Sequence, residues 1–257
     1  MSTEALLSGV LAIDKPEGWT SHDVVAVVRG VIGAKRVGHG GTLDPLASGL
    51  LPLLVGSATK FADRVHGAAK VYDALVRFGT ETATDDREGA VVRTAHVPAL
   101  DDQTLESALA SLRGVIEQTP PRYAALKVDG RPAYARARAG ETVELAARSV
   151  QVYRLDVIAS APPDTRLLVV CSSGTYVRAI ARDLGRTLGS AAHLAALRRL
   201  AVGALEAKDA VAPDLLRQRG RAAAIALLRP ASESLLQLDR RFVEQAAATI
   251  VGAGESA

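Results

Sequence analysis

Apolar spacing divides the chain into short strands and amphipathic helices. "VLAIDKP", from Val10, reads as a strand stopped by Pro16. Ser21 then caps a helix whose apolar residues Val24, Val27, Val28, Val31 and Ile32 keep helical spacing up to Gly33. A glycine-rich loop follows, "HGGTLDP". "LLPLLVG" after it is a buried strand in which Pro52 suggests an edge or a bulge. In "KVYDALVRFG" the residues Tyr72, Ala74, Val76 and Phe78 share one face, the period of a half-buried strand, and "TDDREG" reads as an exposed turn. Thr104 opens a second helix with Leu105, Leu109, Leu112 and Ile116 inward, and "KVDGRPAY" is a hairpin through Asp129-Gly130. "SVQVYRLDVI" and "TRLLVVCS" are strands. "SGTYVRAIARDLGRTLG" is a helix with Val177, Ile180, Ala181, Leu184 and Leu188 inward and Gly189 at its end. Strands and helices mix without strict alternation. The expected class is therefore α+β, a largely antiparallel sheet flanked by helices, with a short alanine- and arginine-rich helical segment after Ala201.

At 257 residues and 48% apolar content the chain supports one large domain, or one with a small appendage. No repeat or low-complexity tract is present. The N-terminal "MSTEALLSGVLAIDK" lacks the features of an export signal, and no run approaches the ~20 apolar residues of a membrane helix. A cytoplasmic location, without membrane contact, is expected. The lone Cys171 excludes an intramolecular disulfide and a multi-cysteine metal site. Net charge is only +3, but arginines cluster in "RPAYARARAG" (Arg131 to Gly140) and "LRRL" (Leu197 to Leu200). Such patches suit a phosphate-bearing partner, solvated helix faces being the alternative.

The stretch "HGGTLDPLASGLLPLLVG", His39 to Gly56, carries the candidate chemistry. No lysine follows its glycines at the spacing of a nucleotide-triphosphate loop, and "GHGG" does not give the dinucleotide fingerprint. His39 and Asp44 are five apart in a loop, and His22, His66, His96 and His193 form no ligand pair at helical spacing, so no metal is expected. Taken alone, Asp44 before Pro45 reads as a turn or helix-capping residue.

The whole string, however, resembles the TruB-type pseudouridine synthases, which act on the T-loop of transfer RNA. Their "G-[TA]-L-D-P-x-A-x-G-x-L" signature is satisfied starting at Gly41, with His39 before it. "AIDKP" (Ala12 to Pro16), "KVY" (Lys70 to Tyr72), "CSSGTYVRAIARDLG" (Cys171 to Gly185) and "LRRLAVG" (Leu197 to Gly203) resemble the family's other motifs, in its order. The resemblance covers roughly Gly9 to Gly203. Many relatives have threonine where this chain has Gly40, a change expected to be tolerated. The resemblance also implies a catalytic domain over residues 1–205 and, in 206–257, a short segment in place of the RNA-binding PUA-type domain of many members.

The implied reaction converts the T-loop uridine, position 55 of transfer RNA, to pseudouridine: the base leaves its ribose at N1 and is rejoined through C5. No net redox change occurs, so no cofactor is expected. By the resemblance Asp44 is the nucleophile, ionised at neutral pH because an ordinary aspartate titrates near ~3.9. Attack at C6, attack at C1′ and a glycal route are alternatives. Arg178 is assigned as the catalytic partner of Asp44: if Thr175 caps the helix, Arg178 lies in its first turn, where the dipole disfavours a cation unless an anion accompanies it; a phosphate contact or a solvent-facing arginine is the alternative. Tyr72 is assigned to the target base; Tyr176 and Leu197 match pocket-lining positions, with ordinary packing as the alternative. His39 is assigned to the stack vacated by the flipped nucleotide, or to a loop hydrogen bond. Lys15 positions the loop or a phosphate, or supports the "DKP" turn. The expected partner is the T-arm of transfer RNA, met by a monomer without guide RNA or protein partner. The competing readings are a noncatalytic RNA-binding or RNA-folding protein and, more remotely, a glycoside hydrolase, which needs a second carboxyl group ~5–5.5 Å from Asp44 if retaining.

Overall fold

The computed structural model describes residues 7–124, 126–128, 131–132, 136 and 145–231. In chain order the strands are β1 Gly9–Lys15, β2 Val37–His39, β3 Ala47–Val55, β4 Lys70–Phe78, β5 Thr80–Thr82, β6 Val91–Thr94, β7 Gly114–Gln118, β8 Lys127–Val128, β9 Arg131–Pro132, β10 Arg148–Ala161, β11 Asp164–Cys171, β12 Ala192–Val202 and β13 Leu205–Glu206. The helices are α1 Ser21–Ile32, α2 Ala62–Gly67, α3 Asp102–Ala110, α4 Val177–Thr187 and α5 Pro213–Ala226. Two compact units result, one from the described residues up to Asp73 and from Leu197 on, the other from those between Ala74 and Ala196. Asp129-Gly130, most of the arginine cluster at 131–140 and the C-terminal stretch from residue 232 lie outside the described residues. Among the described residues, no helix is long and apolar enough to cross a membrane.

In the first unit β3 is the central strand. β1 lies antiparallel on one side of it, Ala12 opposite Pro52. The other side is shared: Leu197–Arg199 of β12 run parallel to Ala47–Gly49, and β2 takes over antiparallel at Leu53–Val55. Pro52 is thus interior, neither at an edge nor in a bulge. Its carbonyl accepts from Gly40 N–H at 2.9 Å on the β2 side. The N–H that proline lacks would point the same way, into the gap where β12 gives way to β2, so no ladder bond to β1 is lost.

Helix α1 begins one residue earlier in its capping than the apolar pattern suggests. Thr20 is the N-cap and forms a capping box with Asp23, while Gly33 closes the helix in the left-handed region at φ 68°. Ser21 is thereby released from capping and is buried. Val24, Val25, Val28 and Ile32 form the inner face, and α5 packs against α1, with Arg221 Nε donating to Ile32 O at 2.8 Å.

In the second unit β4, β11, β10 and β7 follow one another in a sheet whose β10–β11 and β10–β7 pairings are antiparallel. α3 is shorter than expected: Asp101 caps it, it ends at Ala110, and Ile116 belongs to β7, which Gly114 opens at φ 85°. "TDDREG" is not an exposed turn. Asp85 and Asp86 are 8% and 3% exposed, although Arg87 and Glu88 do face solvent. "LRRL" is strand rather than helix surface.

A glycine is required where β3 and β12 meet. At Gly49, φ is 99° and a Cβ would lie 2.3 Å from Arg199 O, whereas at Gly18 φ is 83° and nothing lies within 4 Å. Gly49→Ala is expected to lower unfolding free energy by about 3 kcal/mol or more, and Gly18→Ala by about 1, in denaturant titrations. Equal losses at the two positions would contradict a clash at the strand crossing.

Candidate active site

Asp44 is half-buried in the loop joining β2 to β3. It begins a β-turn rather than a helix: Ala47 N–H donates to Asp44 O at 3.0 Å, with Pro45 at the second turn position. The carbonyls from Gly41 to Pro45 are all bonded. Arg199 donates Nη2 to Gly41 O and Nη1 to Thr42 O, both at 3.2 Å, and Nε to Leu50 O at 2.7 Å. Ser21 Oγ donates to Leu43 O at 3.1 Å and accepts from Leu43 N–H at 2.9 Å. Pro45 O accepts from Gly18 N–H at 2.8 Å and from Lys15 Nζ at 3.4 Å.

Lys15 is fully buried, and its ammonium also donates to Trp19 O at 2.7 Å and Pro16 O at 3.0 Å. All three of these bonds go to backbone carbonyls. Burial lowers its pKa from the ordinary 10.5 to about 8, Asp44 pulling it up and Arg199 pushing it further down. His39 ends β2 at the entry to the loop, and its Nδ1 accepts from Gly41 N–H at 3.4 Å. Burial lowers its pKa, with Arg199, His66 and His22 acting the same way, so the neutral ring is favoured. Gly40 has a packing reason: a Cβ there would lie 2.3 Å from Val65 Cγ1, so the valine of α2 fills the space a larger residue would need. Leu197 sits opposite Ala47, and Tyr72 is buried on β4, where the Lys70 ammonium is bound by the carbonyls of His66 and Ala68.

The second unit contains Arg178 and Tyr176. Tyr176, not Thr175, is the N-cap of α4, and no side chain of its own caps the helix. Instead the Gln118 amide takes both backbone groups of Tyr176, accepting from N–H at 2.8 Å and donating to C=O at 3.1 Å. The Arg148 guanidinium lies 4.8 Å from the centre of the Tyr176 ring. Arg178 is buried in the first turn of α4 and has an anionic neighbour: Nη1 donates to Asp86 Oδ2 at 3.2 Å and to Thr84 O at 3.0 Å. One helical turn on, Arg182 Nη1 meets Asp85 Oδ2 at 2.7 Å. Burial raises the Asp85 pKa, opposed by Arg182 and then Arg178. Asp85 itself adopts φ 61°, which turns two consecutive carboxylates toward arginines four apart on one helix.

Ser21, Arg199, Asp86 and Gln118 were not singled out as site residues from sequence. Arg199 carried the one available signal, an arginine at an alternate position of an apolar strand; the other three depend on partners 22 to 92 residues away.

A model of the TruB family pseudouridylate synthase N-terminal domain matches residues 29–177. The chain belongs to the TruB family. Among its relatives is the tRNA pseudouridine synthase B of Arthrobacter sp. (strain FB24), 48% identical over 77% of this chain and 67% of the relative. That of Ralstonia pickettii (strain 12J) is 47% identical over 90% of this chain and 74% of the relative. Among solved structures, a chain from a Cbf5-Nop10-Gar1 complex superposes with TM-score 0.69 at 26% identity, over 90% of this chain and 62% of that one. The TruB assignment agrees with the α+β architecture and its mostly antiparallel strand pairing.

Two predictions concern these braces. Between pH about 8 and 10.5 the unfolded chain holds the Lys15 proton that the folded chain has lost, so this group makes stability rise with pH across that window. Loss of the ammonium also removes a donor and a charge from the Asp44 loop. Turnover is therefore expected to fall above pH about 8 while the unfolding midpoint does not fall on account of Lys15; a flat pH–rate profile through this range would contradict the role. Asp85→Ala removes the buried counter-ion of Arg182 and leaves it only the more exposed Asp183, which pairs with it at 2.8 Å, and is expected to cost about 2 kcal/mol in denaturant unfolding. A loss below ~1 kcal/mol, the range of an exposed pair, would mean that the pair carries little.

Proposed function

We propose that this protein converts the T-loop uridine at position 55 of transfer RNA to pseudouridine, acting as a monomer without guide RNA or protein partner, with residues 1–205 as its catalytic part. The observation that carries the reading is Asp44 itself, an acidic residue on a loop whose backbone is fixed by two buried cations and a buried serine. A carboxylate that must bond an electrophilic carbon and leave again benefits from such fixation, because its approach geometry is set before substrate arrives. The relatives named tRNA pseudouridine synthase B support the substrate class.

In this reading Asp44 is the nucleophile and the family resemblance assigns Arg178 to it. Asp86 then acts on Arg178 as a positioning residue, holding one end of the guanidinium. Tyr72 meets the target base, and Tyr176 and Leu197 line the uracil pocket, the former with its backbone fixed by Gln118. His39 fills the stack left by the extruded nucleotide, while Lys15 serves the loop rather than the RNA. Flipping costs a few kcal/mol, offset by stacking in the pocket and by phosphate contacts, so affinity falls as salt rises. The isomerisation has no net electron change and calls for no redox cofactor.

Asp44→Asn separates this reading from noncatalytic RNA binding. Incubated with unmodified transfer RNA, the wild type is expected to form pseudouridine in the T-loop, mapped chemically, and the variant none, with RNA affinity within about threefold. Wild-type rate in the variant would remove Asp44 from the chemistry. Binding by the wild type without product would favour the RNA-binding alternative.

A further inference from the structure

We infer that Arg199 is a positioning residue for the reaction: its guanidinium, rather than meeting RNA, sets the height and register of the Asp44 loop. This rests on the reading of Asp44 as nucleophile. Arg199 is 2% exposed, which removes it from any phosphate contact despite its place in the "LRRL" cluster. Its three nitrogens each go to a carbonyl, Leu50 O from Nε, Thr42 O from Nη1 and Gly41 O from Nη2. Among the described residues none of these bonds reaches a carboxylate. Burying a guanidinium against carbonyls alone is an expensive way to fill a core, which apolar side chains do at less cost. What the arginine adds is geometry, a rigid planar fork that reaches both sides of the Asp44 turn at once.

The strand register explains how. Leu197, Arg198 and Arg199 run parallel to Ala47, Ser48 and Gly49. Side chains alternate along a strand, so Leu197 and Arg199 share one face while Arg198 turns to the other and pairs with Asp14 at 2.8 Å. One strand therefore carries both the leucine assigned to the uracil pocket and the fork beneath the nucleophile loop. Gly49, lacking a Cβ, lets the two backbones come close enough for the fork to reach. A slip of this register would displace pocket wall and carboxylate together.

The test uses full-length Arg199→Met and Arg199→Lys, with Leu205→Ala, a buried residue of the apolar cluster around Val10 and Leu54, as a control for lost stability. Single-turnover pseudouridine formation, tRNA affinity and hydrogen exchange of the 40–47 segment are measured well below each unfolding transition. Arg199→Met is expected to slow the chemical step about 100-fold, as a misplacement near 1 Å would, with tRNA affinity within about threefold. Arg199→Lys, which keeps the charge but not the fork, is expected to recover only part of that rate. Exchange at the Leu43 and Ala47 amides should quicken in both arginine variants and not in Leu205→Ala, which keeps its rate. A near-normal rate in Arg199→Met, a loss in Leu205→Ala as large as that in Arg199→Met, or full rescue by lysine would overturn the inference. If the wild type binds tRNA without forming product, the functional reading fails instead; unchanged exchange in Arg199→Met would still refute the brace.

Discussion

Five successive carbonyl groups, Gly41 to Pro45, each accept a bond from the protein while the chain turns from β2 into β3, those of the buried Gly41 and Leu43 out of reach of solvent, and the structure around Asp44 follows from how they do. An unbonded buried carbonyl costs on the order of 1–3 kcal/mol, so a tight loop with several of them would not hold one conformation. Here each is bonded: two by Arg199, one by Ser21, one by Ala47 N–H, and the last by Gly18 N–H and Lys15. The donors come from β1, α1, β3, β12 and the turn after β1, so the first unit as a whole determines where the carboxylate stands.

Two of those donors are cations without solvent. Their cost is visible in Lys15, whose ammonium burial holds well below the usual lysine range. The second unit uses the same currency with opposite parts: Arg178 and Arg182 are buried on α4, and Asp86 and Asp85 neutralise them from a strained turn. In both places stability is given up for a fixed charge position, a pattern expected where chemistry depends on geometry more than on packing.

Periodicity made α1 and the β4 face legible, because each buries one side and the spacing of its valines and alanines records it; in α4 the apolar spacing marked the helix, but its residues from Val177 to Arg182 are all buried, the two arginines included. The cap of α1 was displaced by one residue because Thr20 and Ser21 both suit an N-cap, and only the loop's need for Ser21 distinguishes them. α3 was overextended through Ile116 because Gly114, which opens β7, interrupts an apolar spacing that continues by coincidence. Pro52 looked like an edge marker because sequence does not show that two different strands share one flank of β3. The acidic "TDDREG" looked solvated for a similar reason: charges are read as exposed unless their partners are known, and Arg178 and Arg182 lie more than 90 residues away. The role proposed for Asp44 rests on the ordered family motifs; on its own, Asp-Pro describes the β-turn that is indeed present.

The central claim is that the Asp44 loop is built before RNA arrives. Crystal structures of the protein alone and bound to a T-arm RNA test it directly. The account predicts that the backbone of residues 41–47 superposes within about 1 Å, with the Arg199, Ser21 and Lys15 bonds intact in both. A loop that moves by more than ~2 Å, exchanging those bonds for others when RNA binds, would contradict it.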